Sequence, residues 1–259
     1  MRVAVLSLAV ALAVASSPRA GDAAEIKVLT AGAFKQVVLA LVPEYERQTG
    51  NKVVLDNDTA GALTKRIEGG EAFDVAVLTP AALSGLVNKG KLVGGSQVNL
   101  ARVGIGVVVK EGAPKPDITS VEAFKRALIA AKSVAYIDPA AGGSSGIYVA
   151  NLLDKLGVAA EVKTKAKLIA GGAVAEHIAN GEAELGIHQI SEILPVKGIT
   201  LVGPLPAEIQ NYTIYAAALS THLKDNEKEG EAAKALLKVL SGPAAAEVLK
   251  AKGMEPAGS

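Results

Sequence analysis

The chain has 259 residues, of which 50% are hydrophobic but only 3% aromatic, and it contains no cysteine. Its 27 lysines and arginines nearly balance its 26 aspartates and glutamates, which argues against the basic surface of a nucleic-acid-binding protein. The lack of cysteine excludes disulfides, thiol redox chemistry and thiolate metal ligands, so packing of small aliphatic side chains must stabilise the fold.

The N-terminal segment has the features of an export signal. Arg2 precedes an apolar run over residues 3–14, and small residues follow the run. The run is shorter than the roughly 20 residues that a membrane helix needs, and this pattern is typical of a secretory signal peptide. We predict that residues 1–24 are removed by cleavage near Ala23 or Ala24, and that the mature protein is periplasmic.

The remaining chain repeats a strand, a turn of small residues and an amphipathic helix. In the first helix, apolar residues from Phe34 to Tyr45 recur at i, i+3, i+4 and i+7, which defines one buried face. Alternation of this kind builds a parallel sheet covered by helices, so the predicted fold class is α/β. The strands of the repeat are predicted at residues 26–29, 52–55, 73–78, 133–137, 167–170 and 185–189.

Two longer β-rich stretches, residues 102–110 and 209–219, bracket the second part of this repeat. We interpret them as two crossing strands that join two β/α lobes. Lobe 1 is then predicted to contain residues 25–103 and 205–259, and lobe 2 residues 104–204. Two lobes joined in this way place a ligand in the cleft between them and allow the cleft to close by a hinge motion.

Five short segments, in their order and spacing, carry a family resemblance: Val28-Leu29-Thr30-Ala31-Gly32-Ala33-Phe34, Thr59-Ala60-Gly61-Ala62-Leu63, Asp74-Val75-Ala76-Val77-Leu78, Asp138-Pro139-Ala140-Ala141-Gly142 and Gly181-Glu182-Ala183-Glu184-Leu185-Gly186-Ile187. Over the mature chain they resemble the type II periplasmic solute-binding proteins, and within them the molybdate-binding components of ABC importers. The resemblance implies a monomer that binds a small anion, delivers it to a membrane permease of an ABC-type importer, needs no cofactor and is not an enzyme.

The chain departs from the molybdate binders at three positions. Ala33 and Ala60 match positions where that branch carries serine, although Thr59 offers a hydroxyl next to the second one. Gln189 matches a tyrosine. The resemblance therefore implies the fold and the binding role more strongly than it implies molybdate.

Three turns, at residues 30–34, 58–61 and 142–146, place small residues at predicted helix N-termini. Free backbone N–H groups and the positive end of the helix dipole favour an anion there, although small residues in such turns also serve tight packing. We rank a small organic carboxylate slightly above a tetrahedral oxyanion. The predicted ligand contacts are Thr30, Gly32, Ala33, Phe34, Thr59, Ala60, Gly61, Gly143, Ser144, Ser145 and Gln189.

The sequence Gly142-Gly143-Ser144-Ser145-Gly146 also fits the G-x-S-x-G nucleophile turn, so a secreted serine hydrolase with Ser144 as nucleophile is the alternative function. Residues 138–141 separate this motif from the preceding strand, and no HGGG-type motif lies upstream. The three histidines lack the spacing of metal ligands. We therefore expect no metal site and no catalytic residue.

Overall fold

The computed structural model describes residues 23–257, so most of the predicted signal peptide lies outside the described residues. Within them the strands are β1 (Glu25–Ala31), β2 (Lys52–Asp58), β3 (Val75–Leu78), β4 (Val98–Lys110), β5 (Val134–Ile137), β6 (Ala166–Ile169), β7 (Leu185–Gln189), β8 (Ile199–Pro204), β9 (Tyr212–Leu219) and β10 (Glu255–Pro256). The helices are α1 (Gly32–Thr49), α2 (Ala60–Glu68), α3 (Pro80–Asn88), α4 (Val121–Ala130), α5 (Ser144–Lys155), α6 (Ala159–Lys163), α7 (Val174–Ala179), α8 (Ile190–Ile193), α9 (Glu227–Ser241) and α10 (Pro243–Ala251).

One long strand, β4, links two groups of strands. The main path of the sheet runs β2-β1-β3-β9-β4-β7-β5-β6. Residues 98–104 of β4 pair antiparallel with β9, whereas residues 105–110 pair with β7 and β8. On either side of this junction, β1 pairs in parallel with β2 and β3, and β5 pairs in parallel with β6 and β7. The long β-rich stretch at residues 102–110 therefore crosses from one group of strands to the other, as predicted.

The buried side chains fall into separate cores on the two sides of β4. One core draws on residues 24–103 and 215–254, and two others draw on residues 105–205 and 108–193. The second crossing segment starts where Ile209 packs against a core of the later group, and it ends at Leu219 in the first core. The chain thus forms two β/α lobes joined by two crossing segments, as predicted.

Local sequence explains where the helices that face the cleft begin. Thr59 caps α2 by accepting a hydrogen bond from the Ala62 N–H at 3.1 Å, which is the usual role of threonine at this position. By contrast, α1 follows Ala31 and α5 follows Gly143, and neither helix has a side-chain cap. The first N–H groups of α1 and α5 therefore stay available to a ligand.

No helix among residues 23–257 combines the length and the apolar character needed to cross a membrane.

Candidate ligand-binding cleft

A cavity of about 280 Å³ lies between the lobes, where the N-termini of α1, α2 and α5 meet. It is lined by predicted contacts from all three turns and from the end of β7, namely Gly32, Ala33, Thr59, Ala60, Gly143, Ser144, Ser145 and Gln189. The structure therefore brings most of the predicted contacts together, although they are far apart in the sequence.

Three predicted contacts do not line this cavity. Phe34 is fully buried in the first core, because it belongs to the apolar face of α1. Thr30 is also fully buried, and its hydroxyl donates to the Ala31 carbonyl at 3.1 Å. The Gly61 N–H is already used in a hydrogen bond to the Gly142 carbonyl oxygen.

Ser144 belongs to a closed network of hydrogen bonds beside the cavity. Its Oγ accepts from Gln189 Nε2 at 2.9 Å and lies 3.2 Å from the hydroxyl of Tyr215. The same Gln189 Nε2 donates to Thr213 Oγ1, and the Tyr215 hydroxyl donates to Gln189 Oε1 at 2.9 Å. Burial raises the pKa of Tyr215, so the phenol stays protonated. The network fixes the Gln189 amide at the cavity wall.

Ser145 differs from its neighbour. Ser145 is buried, at 4% exposure, whereas Ser144 is half-buried, yet the Ser145 hydroxyl forms no hydrogen bond within residues 23–257. It lines the cavity near the uncapped N-terminus of α5. Of the two serines in this turn, Ser145 therefore has the hydroxyl that is free to donate to a ligand.

The same contacts bear on the hydrolase alternative. A serine nucleophile needs an adjacent general base, but the partners of Ser144 are an amide and a protonated phenol. The nearby imidazole of His188 directs its Nε2 to Glu192 instead. The described structure thus provides no base for Ser144.

His188 and Glu192 form a titratable pair in the cavity wall that the sequence did not reveal as a pair. His188 Nε2 lies 3.3 Å from Glu192 Oε2, and the two side chains are 2% and 17% exposed. Burial lowers the pKa of His188 to about 3 and raises the pKa of Glu192 to about 8, against the opposing effect of the Lys35 charge. Both groups are therefore mainly uncharged at pH 7, and the contact is not an ion pair.

The carboxyl of Glu192 lies over the start of α1. A Cβ atom at Gly32 would be 2.5 Å from Glu192 Oε1, so a larger residue there would push the carboxyl away from the helix N-terminus. Glu192 stands in the four-residue helix α8, directly after β7. No periodicity or motif marks so short a helix, which is why sequence reasoning missed this residue.

A second cavity of about 430 Å³ adjoins the first and shares Gly32, Asn57, Gly172 and Glu192 with it. Lys35 and Lys197 line the second cavity, and neither forms an ion pair with another described residue. Ser191 also lines it, with a buried Oγ that has no hydrogen-bond partner in the described structure. This cavity therefore combines two lysines with an unused hydroxyl, and the carboxyl-bearing side chains of Glu176 and Glu192 line it as well.

The lobes touch directly at one edge of the cleft. Thr59 Oγ1 donates to the Ala141 carbonyl, and the Gly61 N–H donates to the Gly142 carbonyl at 3.1 Å. A Cβ atom at Gly61 would lie 2.7 Å from the Cα atom of Gly142, a distance that real Cβ atoms do not adopt. Glycine at both positions thus allows the lobes to close against each other.

A family model described as bacterial extracellular solute-binding protein matches residues 26–255, which is nearly the whole described chain. The chain belongs to this family. It is 35% identical over 254 residues to an aconitate isomerase of a Pseudomonas species, a match that covers 95% of this chain and 94% of that protein. It is 30% identical over 259 residues to the molybdate-binding protein ModA of Azotobacter vinelandii, covering 95% of this chain and 96% of ModA.

The solved structure of the periplasmic molybdate-binding protein of Azotobacter vinelandii has the same fold. It superposes with a TM-score of 0.72 at 21% identity, over 88% of this chain and 98% of that one. These matches confirm the resemblance to the type II periplasmic solute-binding proteins and to their molybdate-binding branch. One of the matched relatives, the aconitate isomerase, is named as an enzyme.

Proposed function

We propose that this solute-binding protein captures a small organic anion with more than one carboxylate in its interlobe cleft and delivers it, as a periplasmic monomer, to the permease of an ABC-type importer. The observation that carries the proposal is the pair of joined cavities. One offers neutral donors at helix N-termini, and the other offers two lysines without ion-pair partners.

The first cavity suits one carboxylate. Donors come from the uncapped starts of α1 and α5 and from the hydroxyl of Ser145, and such groups stabilise negative charge without a buried cation. Ala33 and Ala60 match positions where the molybdate binders carry serine. This chain therefore offers fewer hydroxyl donors to a tetrahedral oxyanion. These features favour a carboxylate over molybdate.

The second cavity suits further carboxylates of the same ligand. A compact oxyanion fills a single site, whereas a polycarboxylate extends several bond lengths and needs positive charge at its far end. Lys35 and Lys197 provide that charge. The relative named aconitate isomerase agrees with this ligand class, because aconitate is a tricarboxylate.

The domain boundaries belong to the proposal. Lobe 1 with residues 25–103 and 205–259, and lobe 2 with residues 104–204, are supported by the separate hydrophobic cores. Closure about the two crossing segments is supported by the contact between Gly61 and Gly142. A ligand that touches both lobes shifts the population toward the closed form.

Titration calorimetry on the mature protein tests the proposal with acetate, succinate, citrate, trans-aconitate and molybdate. We expect affinity to rise at least tenfold from acetate to the tricarboxylates, with molybdate weaker than the best of them. X-ray scattering should show compaction with the tightest ligand. Tighter binding of molybdate than of every carboxylate would contradict the proposal.

A second candidate function is isomerisation of an unsaturated polycarboxylate. It is favoured by the relative named aconitate isomerase, which this chain matches over nearly its full length, and by the buried carboxyl and imidazole of Glu192 and His188 in the cavity wall. Proton NMR of trans-aconitate incubated with the protein should show the cis isomer appearing until the two reach equilibrium. A spectrum that stays unchanged while calorimetry shows binding would leave capture as the function.

A further inference from the structure

We propose that Glu192 carries the proton in this isomerisation and that His188 positions its carboxyl. The proposal rests on the second candidate function, and it assigns a catalytic role to a residue of a solute-binding cleft.

Glu192 occupies the place where a bound polycarboxylate would be rearranged. Among the described residues it is the only titratable one that lines both cavities. A ligand with one carboxylate at the N-termini of α1 and α5 and another near Lys35 must pass its middle carbon atoms by this junction. The carboxyl of Glu192 therefore lies beside the carbon atoms between the anchored ends.

The surroundings of Glu192 suit proton transfer. A general base works best when its pKa is near the working pH, and burial raises the pKa of Glu192 to about 8. Most of the side chain is shielded from water, at 17% exposure. The charged and titratable groups that face it or share its cavities are Lys35, Asp58, Glu176, His188, Lys197 and Tyr215.

The step needs one proton and no co-reactant. The ionised Glu192 carboxylate removes a proton from the methylene carbon next to the carbon–carbon double bond of the ligand. The electron pair of that C–H bond forms the new double bond, and the old π pair takes the same proton back from Glu192 at its far end. The transient negative charge spreads onto an adjacent ligand carboxylate, where the α1 N-terminus and Lys35 stabilise it.

His188 acts through Glu192 rather than on the ligand. Its Nε2 is 3.3 Å from Glu192 Oε2, and its side chain is nearly inaccessible at 2% exposure. Its Nδ1 is buried without a hydrogen-bond partner in the described structure. Because burial lowers the pKa of His188 to about 3, the imidazole stays neutral and does not compete for the proton. It holds the carboxyl in place.

The test compares Glu192→Gln with wild type and with the control Glu161→Gln, which changes a carboxylate outside both cavities. Each protein is given trans-aconitate, with NMR in D2O to follow isomer ratio and deuterium uptake, and calorimetry to measure affinity. Glutamine keeps a hydrogen-bond donor, so we expect affinity within about threefold of wild type. Turnover should fall at least about a hundredfold, the usual contribution of general acid–base catalysis.

The pH profile separates the role of His188 from a purely structural one. For wild type, kcat/KM should rise with pH and level off above an apparent pKa near 8, since Glu192 must be ionised. His188→Asn should move that midpoint and lower kcat more than it changes KM, while the circular dichroism spectrum stays that of the folded protein.

Each outcome decides a different claim. If wild type binds trans-aconitate but neither isomerises it nor exchanges its methylene hydrogens, the assignment to Glu192 is wrong and the capture function stands. If wild type isomerises it and Glu192→Gln does so at a similar rate, another residue carries the proton. If no carboxylate binds at all, the proposed function itself fails.

Discussion

The two joined cavities of the cleft offer different groups to an anionic ligand. The first offers backbone N–H groups at the uncapped starts of α1 and α5, and three of its polar side chains, Ser144, Gln189 and Tyr215, are tied into one hydrogen-bonded network. The second uses Lys35 and Lys197, which have no ion-pair partner among the described residues. Glu192 lies where they meet.

This difference bears on ligand choice. Fixed dipoles at helix ends need no rearrangement on binding and recognise a compact group at a defined place. Long lysine side chains carry a full charge on a flexible stem, so they tolerate ligands of different length. The first cavity is therefore expected to set orientation, and the second to set how many carboxylates the ligand carries.

The largest effect on affinity should come from preventing closure of the lobes, because the ligand then loses its contacts in both cavities. A methyl group at Gly61 would meet the backbone of Gly142 at 2.7 Å. If this contact disfavours the closed form by about 3 kcal/mol, the affinity for a tricarboxylate falls roughly a hundredfold. Calorimetry and scattering on Gly61→Ala measure this. Gly85→Ala, in α3 with no atom near the added methyl, should bind and compact like wild type.

A smaller effect should come from the first cavity alone. Ser145→Ala removes a hydroxyl that has no hydrogen-bond partner among the described residues. Since a hydrogen bond to a charged group contributes about 1.5–3 kcal/mol, affinity should fall about ten- to a hundredfold for every anion that binds. Ser144→Ala should cost less, because that hydroxyl is already used by Gln189 and Tyr215. Equal losses in calorimetry would show that both hydroxyls turn to the ligand.

The second cavity is tested by Lys35→Met. Lys35 is half-buried, so its charge is partly screened, and we expect about a tenfold loss for a tricarboxylate. Acetate, which we expect to occupy the first cavity only, should bind unchanged. Lys89→Met, which removes an exposed lysine that pairs with Glu68 and lines neither cavity, serves as the control. An equal loss of affinity for acetate and citrate would refute the claim that the two cavities bind different carboxylates of the ligand.

The smallest effect concerns stability and the junction between the cavities. Folding raises the pKa of Glu192 from an ordinary 4.5 to about 8, so between these values the folded state binds more protons than the unfolded state. Its contribution is present below pH 4.5 and is lost as pH rises through 8. Burial lowers the pKa of His188 instead, so its contribution to stability has the opposite pH dependence. That contribution is fully present above the unfolded pKa of 6.5 and is lost as the pH falls below it.

A window from pH 6.5 to 8 therefore isolates Glu192. The loss is at most about 1.4 kcal/mol per pH unit, which lowers the melting temperature by about 3–6 °C per pH unit for a protein of this size. Melting curves of wild type and Glu192→Gln should diverge with pH, the variant losing less stability. Parallel curves would mean that Glu192 is already ionised in the folded state.

Much of the fold was predictable because it depends on local pattern. The bounds of β7 agree with those predicted from hydrophobic alternation, and α1 ends at Thr49, directly before Gly50, whose φ is 76°. β8 was missed, since residues 199–204 are short, only partly buried and pair solely with the long strand β4. A strand held by one distant partner leaves little signal in its own sequence.

For the cleft, the sequence alone determined where small residues precede helices, since those turns need glycine, alanine or threonine at known positions. It could not determine which hydroxyl is free, because the partners of Ser144 come from β7 and β9. Nor could it find Glu192, whose buried carboxyl depends on the approach of α8 to Gly32 at the start of α1. Burial and neighbouring charge decide the pKa of such a group, and both arise only when segments that are far apart in sequence pack together.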